Sequence, residues 1–91
     1  DARPVAVSEI FERALLLARD ELEAKKIRVA RVAAGDVPAV QADSDLMSQV
    51  VLDLLNNAAE ALPPAGEVRL EARAENGSVR IGTSLVIPTR E

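Results

Sequence analysis

Ninety-one residues, 48% of them hydrophobic but with Phe11 as the sole aromatic, make one small domain whose core must be built from small aliphatic side chains. A net charge of −4 argues against nucleic acid as a partner, and the absence of cysteine and histidine removes disulfides, a thiol nucleophile, a zinc site, a histidine base and a phospho-accepting histidine together. Apolar runs extend for only a few residues, so neither a membrane span nor a signal peptide is predicted, and a cytoplasmic setting without direct membrane contact is expected.

In chain order, Pro4-Val5-Ala6-Val7 reads as an extended segment, with Ser8 as the N-cap of a first helix. From Glu9 to Lys26, residues Ile10, Phe11, Ala14, Leu15, Leu17, Ala18 and Leu22 recur at three- and four-residue steps. That spacing predicts an amphipathic helix, and Lys25 and Lys26 suit its last turn. Ile27 to Ala33 is short and β-branched, which predicts a strand even though Arg31 breaks the two-residue alternation. Gly35-Asp36-Val37-Pro38 reads as a turn, and Ala39 to Ala42 as a short extended piece.

A second helix is predicted from Ser44 to Leu62, with Asp43 or Ser44 as its cap and Pro63-Pro64 as its stop. At about 100° per residue, its apolar side chains, among them Leu46, Val50, Val51, Leu54, Leu55 and Leu62, cover well over half the circumference. A surface helix shows a narrower stripe, so this one is expected to be flanked on two sides, by the sheet and by the first helix. The polar remainder is a narrow seam of Asp45, Gln49, Asp53, Asn56, Asn57 and Glu60, with Asn57 at the edge of the apolar arc between Leu46 and Val50.

From Glu67 onward the chain alternates. Val68, Leu70, Ala72 and Ala74 take one face, while Glu67, Arg69, Glu71, Arg73 and Glu75 take the other. Asn76-Gly77 supplies the two positive-φ positions of a type I′ turn, which pairs Glu75 with Ser78, Ala74 with Val79 and Ala72 with Ile81. The predicted fold is an α+β two-layer sandwich, with two main helices packed on one face of a small mixed sheet.

The seam is the place where chemistry could gather. Asp53 and Asn57 lie one helical turn apart, and Asn56 adjoins them. Carboxylate and amide oxygens are what Mg²⁺ prefers, and a phosphate-bound Mg²⁺ needs only one or two protein ligands. A carboxylate beside such an ion can also orient an attacking water. The competing explanation is that a helix must show water some polar side.

The string itself adds to this. Val37-Pro38-Ala39-Val40-Gln41-Ala42-Asp43, then Leu46, then Gln49 through Ala61 with Leu54-Leu55-Asn56-Asn57-Ala58 at its centre, resembles the Asn-bearing motif of the ATP-binding domain of bacterial sensor histidine kinases. Those kinases share an ATPase superfamily with gyrase-type topoisomerases and heat-shock chaperones. The resemblance implies a single module over residues 1–91 that lacks the flexible lid and the last strands, a reading consistent with a chain that begins at Asp1 rather than Met. It implies Mg²⁺ and ATP as cofactors, with Asn57 as the metal ligand and Asn56 and Asp53 beside the phosphates. Asp53 stands where the hydrolytic cousins carry a catalytic Glu, so it is the candidate catalytic residue. The partners implied are a His-bearing dimerisation domain and a response regulator.

Downstream the pattern departs. The family carries, after its hairpin, Asp-x-Gly-x-Gly-Ile-Pro, whose Asp reads the adenine amino group. Aligning Ile87-Pro88 with the end of that box puts Gly82, Ser84 and Val86 in place of the Asp and both glycines, and no Asp comes after Asp53. Gly82-Thr83-Ser84-Leu85 instead echoes the family's second Gly-rich box, as though the lid were skipped. Two functional readings stay open beside that of an unrelated small domain. One is a kinase ATP-binding domain or a fragment of it. The other is a nucleotide-free interaction module that keeps the fold, with a homodimer expected through the apolar C-terminal strand.

Overall fold

The computed structural model describes residues 2–34 and 37–89. Its seven elements run in the order β1 (Arg3–Val5), α1 (Val7–Ala24), β2 (Arg28–Ala34), β3 (Val40–Ala42), α2 (Ser44–Ala61), β4 (Glu67–Glu75) and β5 (Ser78–Val86). β2, β4 and β5 form a mixed sheet in that spatial order, parallel between β2 and β4 and antiparallel between β4 and β5. A parallel neighbour needs a crossover, and α2 supplies it between β2 and β4. β1 and β3 make a separate antiparallel ribbon, in which Pro4 can sit because the ribbon is all edge. The two-layer α+β architecture is the one expected from the sequence.

α1 begins earlier than its sequence suggests. Its cap is Ala6, whose carbonyl accepts from the N–H groups of Glu9 and Ile10, and Ser8 lies inside the first turn. Its end is a Schellman motif: Ile27 N–H donates to the Leu22 carbonyl at 2.9 Å and Lys26 N–H to that of Glu23 at 3.1 Å. Lys25 is therefore the C-cap, and Lys26 takes φ 58°, instead of both lying in the last helical turn. Of the two caps expected for α2 the structure uses Asp43, whose Oδ1 accepts from Leu46 N–H at 3.1 Å, and the helix ends where Leu62 turns extended ahead of Pro63. Gly66 is closely packed: a Cβ there would meet Leu62 Cδ2 at 3.0 Å and the Pro63 carbonyl at 3.2 Å.

The hairpin keeps the predicted register, with Glu75 against Ser78, Ala74 against Val79 and Ala72 against Ile81. Asn76 and Gly77 take φ 49° and 81°, as a type I′ turn requires. Val68, Leu70 and Ala72 are buried under the helices, whereas Ala74 lies past their reach and is exposed. Ile10, Phe11, Ala14, Ala18 and Leu22 of α1 meet Val51, Leu55, Ala58 and Ala59 of α2 in one continuous core. The alanines let the two helices approach closely, and they lie parallel, with Arg13 ion-paired to Asp45 near one end and Lys25 Nζ donating to the Ala59 carbonyl at 2.6 Å near the other. Arg31, which breaks the alternation of β2, is exposed above the Phe11 ring at 6.0 Å from its centroid and donates to the Ser8 carbonyl at 3.2 Å. The Gly35-Asp36 half of the predicted turn lies outside the described residues.

Candidate functional site

The seam predicted on the second helix is a real surface feature of α2. Asp53 and Asn57 are exposed one turn apart, and Asn56, rotated toward the body of the fold, is half-buried. Gln49 Nε2 donates to Asp53 Oδ1 at 3.2 Å, so the carboxylate is held from the N-terminal side and open on the other. Glu60 is exposed one turn beyond Asn56.

The wide apolar arc is not wholly covered. α2 does pack against both α1 and the sheet, yet Leu46 is 64% exposed and Val50 45%. Asn57, which the wheel places between them, therefore belongs to an open face of mixed character and not to the wall of a concavity. The larger hollows lie elsewhere. One of about 590 Å³ runs from Val40 and Met47 to the hairpin residues Glu75, Val79 and Ile81. Another of about 380 Å³ lies between Val32, Ala72, Arg80 and Ile81.

The donor set fits a phosphate-bound Mg²⁺ in kind. An amide oxygen and a carboxylate one turn apart offer the one or two hard ligands that such an ion takes from protein. No group of three or more acidic side chains gathers among the described residues, so the seam would not hold a cation without the oxygens of a ligand. The adenine end does not fit. β5 continues as a ladder partner of β4 through Val86, opposite Glu67, over the stretch where the resemblance expects an acid and two glycines.

Comparison with known proteins fits this geometry. No protein-family model matches the sequence. The adaptive-response sensory kinase SasA of Synechocystis is 30% identical over 70 residues, which span 77% of this chain and 18% of SasA. The nucleotide-free catalytic domain of histidine kinase ThkA superposes over 100% of this chain and 62% of its own length, with a TM-score of 0.84 at 19% identity. This chain has the catalytic-domain fold of the sensor histidine kinases. The family expected from the α2 string is thus met, by sequence over 77% of the chain and by fold over all of it, and the reading as an unrelated domain falls. Two further structures agree in fold. ThkA in complex with response regulator TrrA gives a TM-score of 0.79 at 20% identity over 90% of this chain and 25% of its own. Full-length ShkA in complex with AMPPNP gives 0.79 at 26% identity, over 91% of this chain and 18% of ShkA.

Within this histidine-kinase fold, sequence reasoning missed three residues. Ser48 is buried in α2, 1% exposed, with no partner for its hydroxyl among the described residues. Its signal was its phase, three and seven residues ahead of Val51 and Leu55. Arg13 and Lys25 clamp the two ends of the helix pair, and nothing local to either residue announces that role.

Proposed function

We propose that this chain is an ATP-binding-domain module of a two-component sensor histidine kinase that keeps the α2 half of the Mg-ATP site and not its adenine half. Residues 1–91 form the module. Asn57 is the Mg²⁺ ligand, Asn56 and Asp53 lie beside the phosphates, and Asp53 is placed to orient a nucleophile. The observation that carries this is the open seam of α2, Asp53 and Asn57 one turn apart on a histidine-kinase fold, with no competing bonds beyond that from Gln49 among the hydrogen bonds and ion pairs described. When bound, Mg²⁺ would neutralise charge on the phosphate oxygens. The partners of the intact kinase would be a His-bearing dimerisation domain and a response regulator such as the one that accompanies ThkA, in the cytoplasm. Among the described residues no helix is long and apolar enough to cross a membrane.

The test is a melting curve of the chain with and without millimolar Mg-ATP. A ligand at a hundred times its dissociation constant stabilises by about 2.7 kcal/mol, a shift of several degrees for so small a domain. With no acid to read adenine, the expected result is no movement. A Mg²⁺-dependent rise that Asn57→Ala abolishes would show that the seam completes a working site by itself.

One observation favours a second reading, a nucleotide-free interaction module. β5 is an uninterrupted strand up to Val86, so the segment that would hold adenine is committed to the sheet.

A further inference from the structure

The sheet face turned away from the helices alternates in charge along β4, through Glu67, Arg69, Glu71, Arg73 and Glu75. Short side chains flank this line, Ala30 and Val32 on β2 and Gly82 and Ser84 on β5. At one end the charges are matched, because Glu67 lies 3.7 Å from Arg28 and 3.1 Å from Arg69. At the other end they are not.

Arg73 and Arg80 stand directly opposite one another in the ladder, an arrangement that costs stability for two like charges. Both reach Glu75. Its Oε1 accepts from Arg80 Nε, and its Oε2 lies 3.6 Å from Arg73 Nη2. One carboxylate thus holds two guanidinium groups side by side, and each commits a single nitrogen to it. Neither makes another ion pair or hydrogen bond among the described residues, and their side chains are 63% and 71% exposed. Most of the donors of two planar forks are therefore unmet by protein. Beside them lies the hollow of about 380 Å³, bounded by Val32, Glu71 and Gly82, and Gly82 has no side chain to fill it. The three charged groups sit next to the Asn76-Gly77 turn, so their juxtaposition is set inside the closed end of the hairpin.

We propose that Arg73 and Arg80, held together by Glu75, bind a phosphate group, either the free ion or a monoester carried on a protein side chain. Two positive charges against one negative leave a cation uncompensated. A tetrahedral oxyanion has enough acceptor oxygens to take N–H groups from both forks at once. A carboxylate offers only two oxygens and repeats what Glu75 already supplies. Because Glu75 holds both arginines in place beforehand, little side-chain freedom is left to lose on binding. Glu71, the next outward residue of β4, has no ion pair among the described residues and lines the hollow. Its charge opposes the anion and limits the site to a single phosphate, since a longer polyphosphate would run onto it. The site needs no Mg²⁺ and lies on the sheet, whereas Asp53 and Asn57 lie on α2, so it rests on neither reading of nucleotide binding.

The test is a titration of the ¹⁵N-labelled chain with inorganic phosphate, without Mg²⁺, against sodium chloride at matched ionic strength. Phosphate should shift the amide signals of Arg73, Arg80 and Gly82 along a saturating curve, and chloride should not. Arg80→Gln should weaken binding by about tenfold or more, the loss of one charge-assisted pair. Glu71→Gln should tighten it by about two- to threefold, the relief of one like charge at this range in water. A phosphoserine peptide titrated in parallel separates the sources: tighter binding than inorganic phosphate assigns the group to a phosphorylated protein, and weaker binding assigns it to the free ion. Shifts that are linear and equal in phosphate and chloride overturn the proposal, as do shifts centred on Asp53 and Asn57 or an unchanged affinity in Arg80→Gln. If Arg80→Gln fails to fold, the gain in Glu71→Gln still decides.

Discussion

Ser48 is a hydroxyl in the wrong solvent. It sits in the line of Val51, Leu55 and Ala59, fully inside, and its Oγ meets no partner among the described residues. A buried unsatisfied polar group costs about 1–3 kcal/mol, and alanine is also the better helix former. Ser48→Ala is expected to raise stability by about 1 kcal/mol, read as a higher urea midpoint at unchanged slope. A lower midpoint would mean that the hydroxyl has a bonded partner in solution. At the same scale, Asn57 and Asp53 were readable as a pair because helical spacing alone puts them on one face. Their exposure was not readable, since it depends on what α1 and the sheet leave uncovered.

Among the elements, α1 teaches the most about ends. Its apolar spacing located the helix, yet Ser8, the residue with the right chemistry for a cap, is passed over because Val5 and Val7 are both buried and fix where the turn must fall. At the other end the Schellman motif brings Leu22 and Ile27 into the core and leaves Lys26 at a φ of 58° that glycine tolerates better. Lys26→Gly is expected to stabilise by about 0.5 kcal/mol, the relief of left-handed strain exceeding the added freedom of the unfolded chain. A thermal melt showing loss of stability would mean that the lysine side chain makes a contact worth more than the strain. β4 and β5 were the easiest elements to read, because Asn76-Gly77 fixes the turn and two-residue alternation fixes the faces.

At the scale of the whole molecule, the core is one thin layer between two helices and a three-stranded sheet, and much of it is alanine and valine. Its larger side chains are few, so each carries an unusual share. Leu55, 0% exposed at the centre of α2, touches this layer from the helix side. Leu55→Ala is expected to cost about 2–5 kcal/mol, against a total of about 5–13 kcal/mol for a domain of this size. A urea melt should show the midpoint lowered by the corresponding amount at unchanged slope; a cost below about 1 kcal/mol would mean that the helix pair closes over the gap.

What the sequence determined by itself were the features whose causes are local. Helical periodicity named α1 and α2, alternation and Asn76-Gly77 named the hairpin and its register, Asp43 and Pro63 bounded α2, and the spacing of Asp53, Asn56 and Asn57 set the seam. The tertiary structure decided everything that depends on a distant neighbour. It chose which part of α2's apolar arc faces water, leaving Leu46 and Val50 open beside Asn57. It laid the helices parallel, so that Arg13 finds Asp45 and Lys25 finds the Ala59 carbonyl. It put β4 between β2 and β5. Periodicity fixes the face a side chain takes on its own element, but burial is a property of pairs of elements, and their pairing is settled only when the chain has closed.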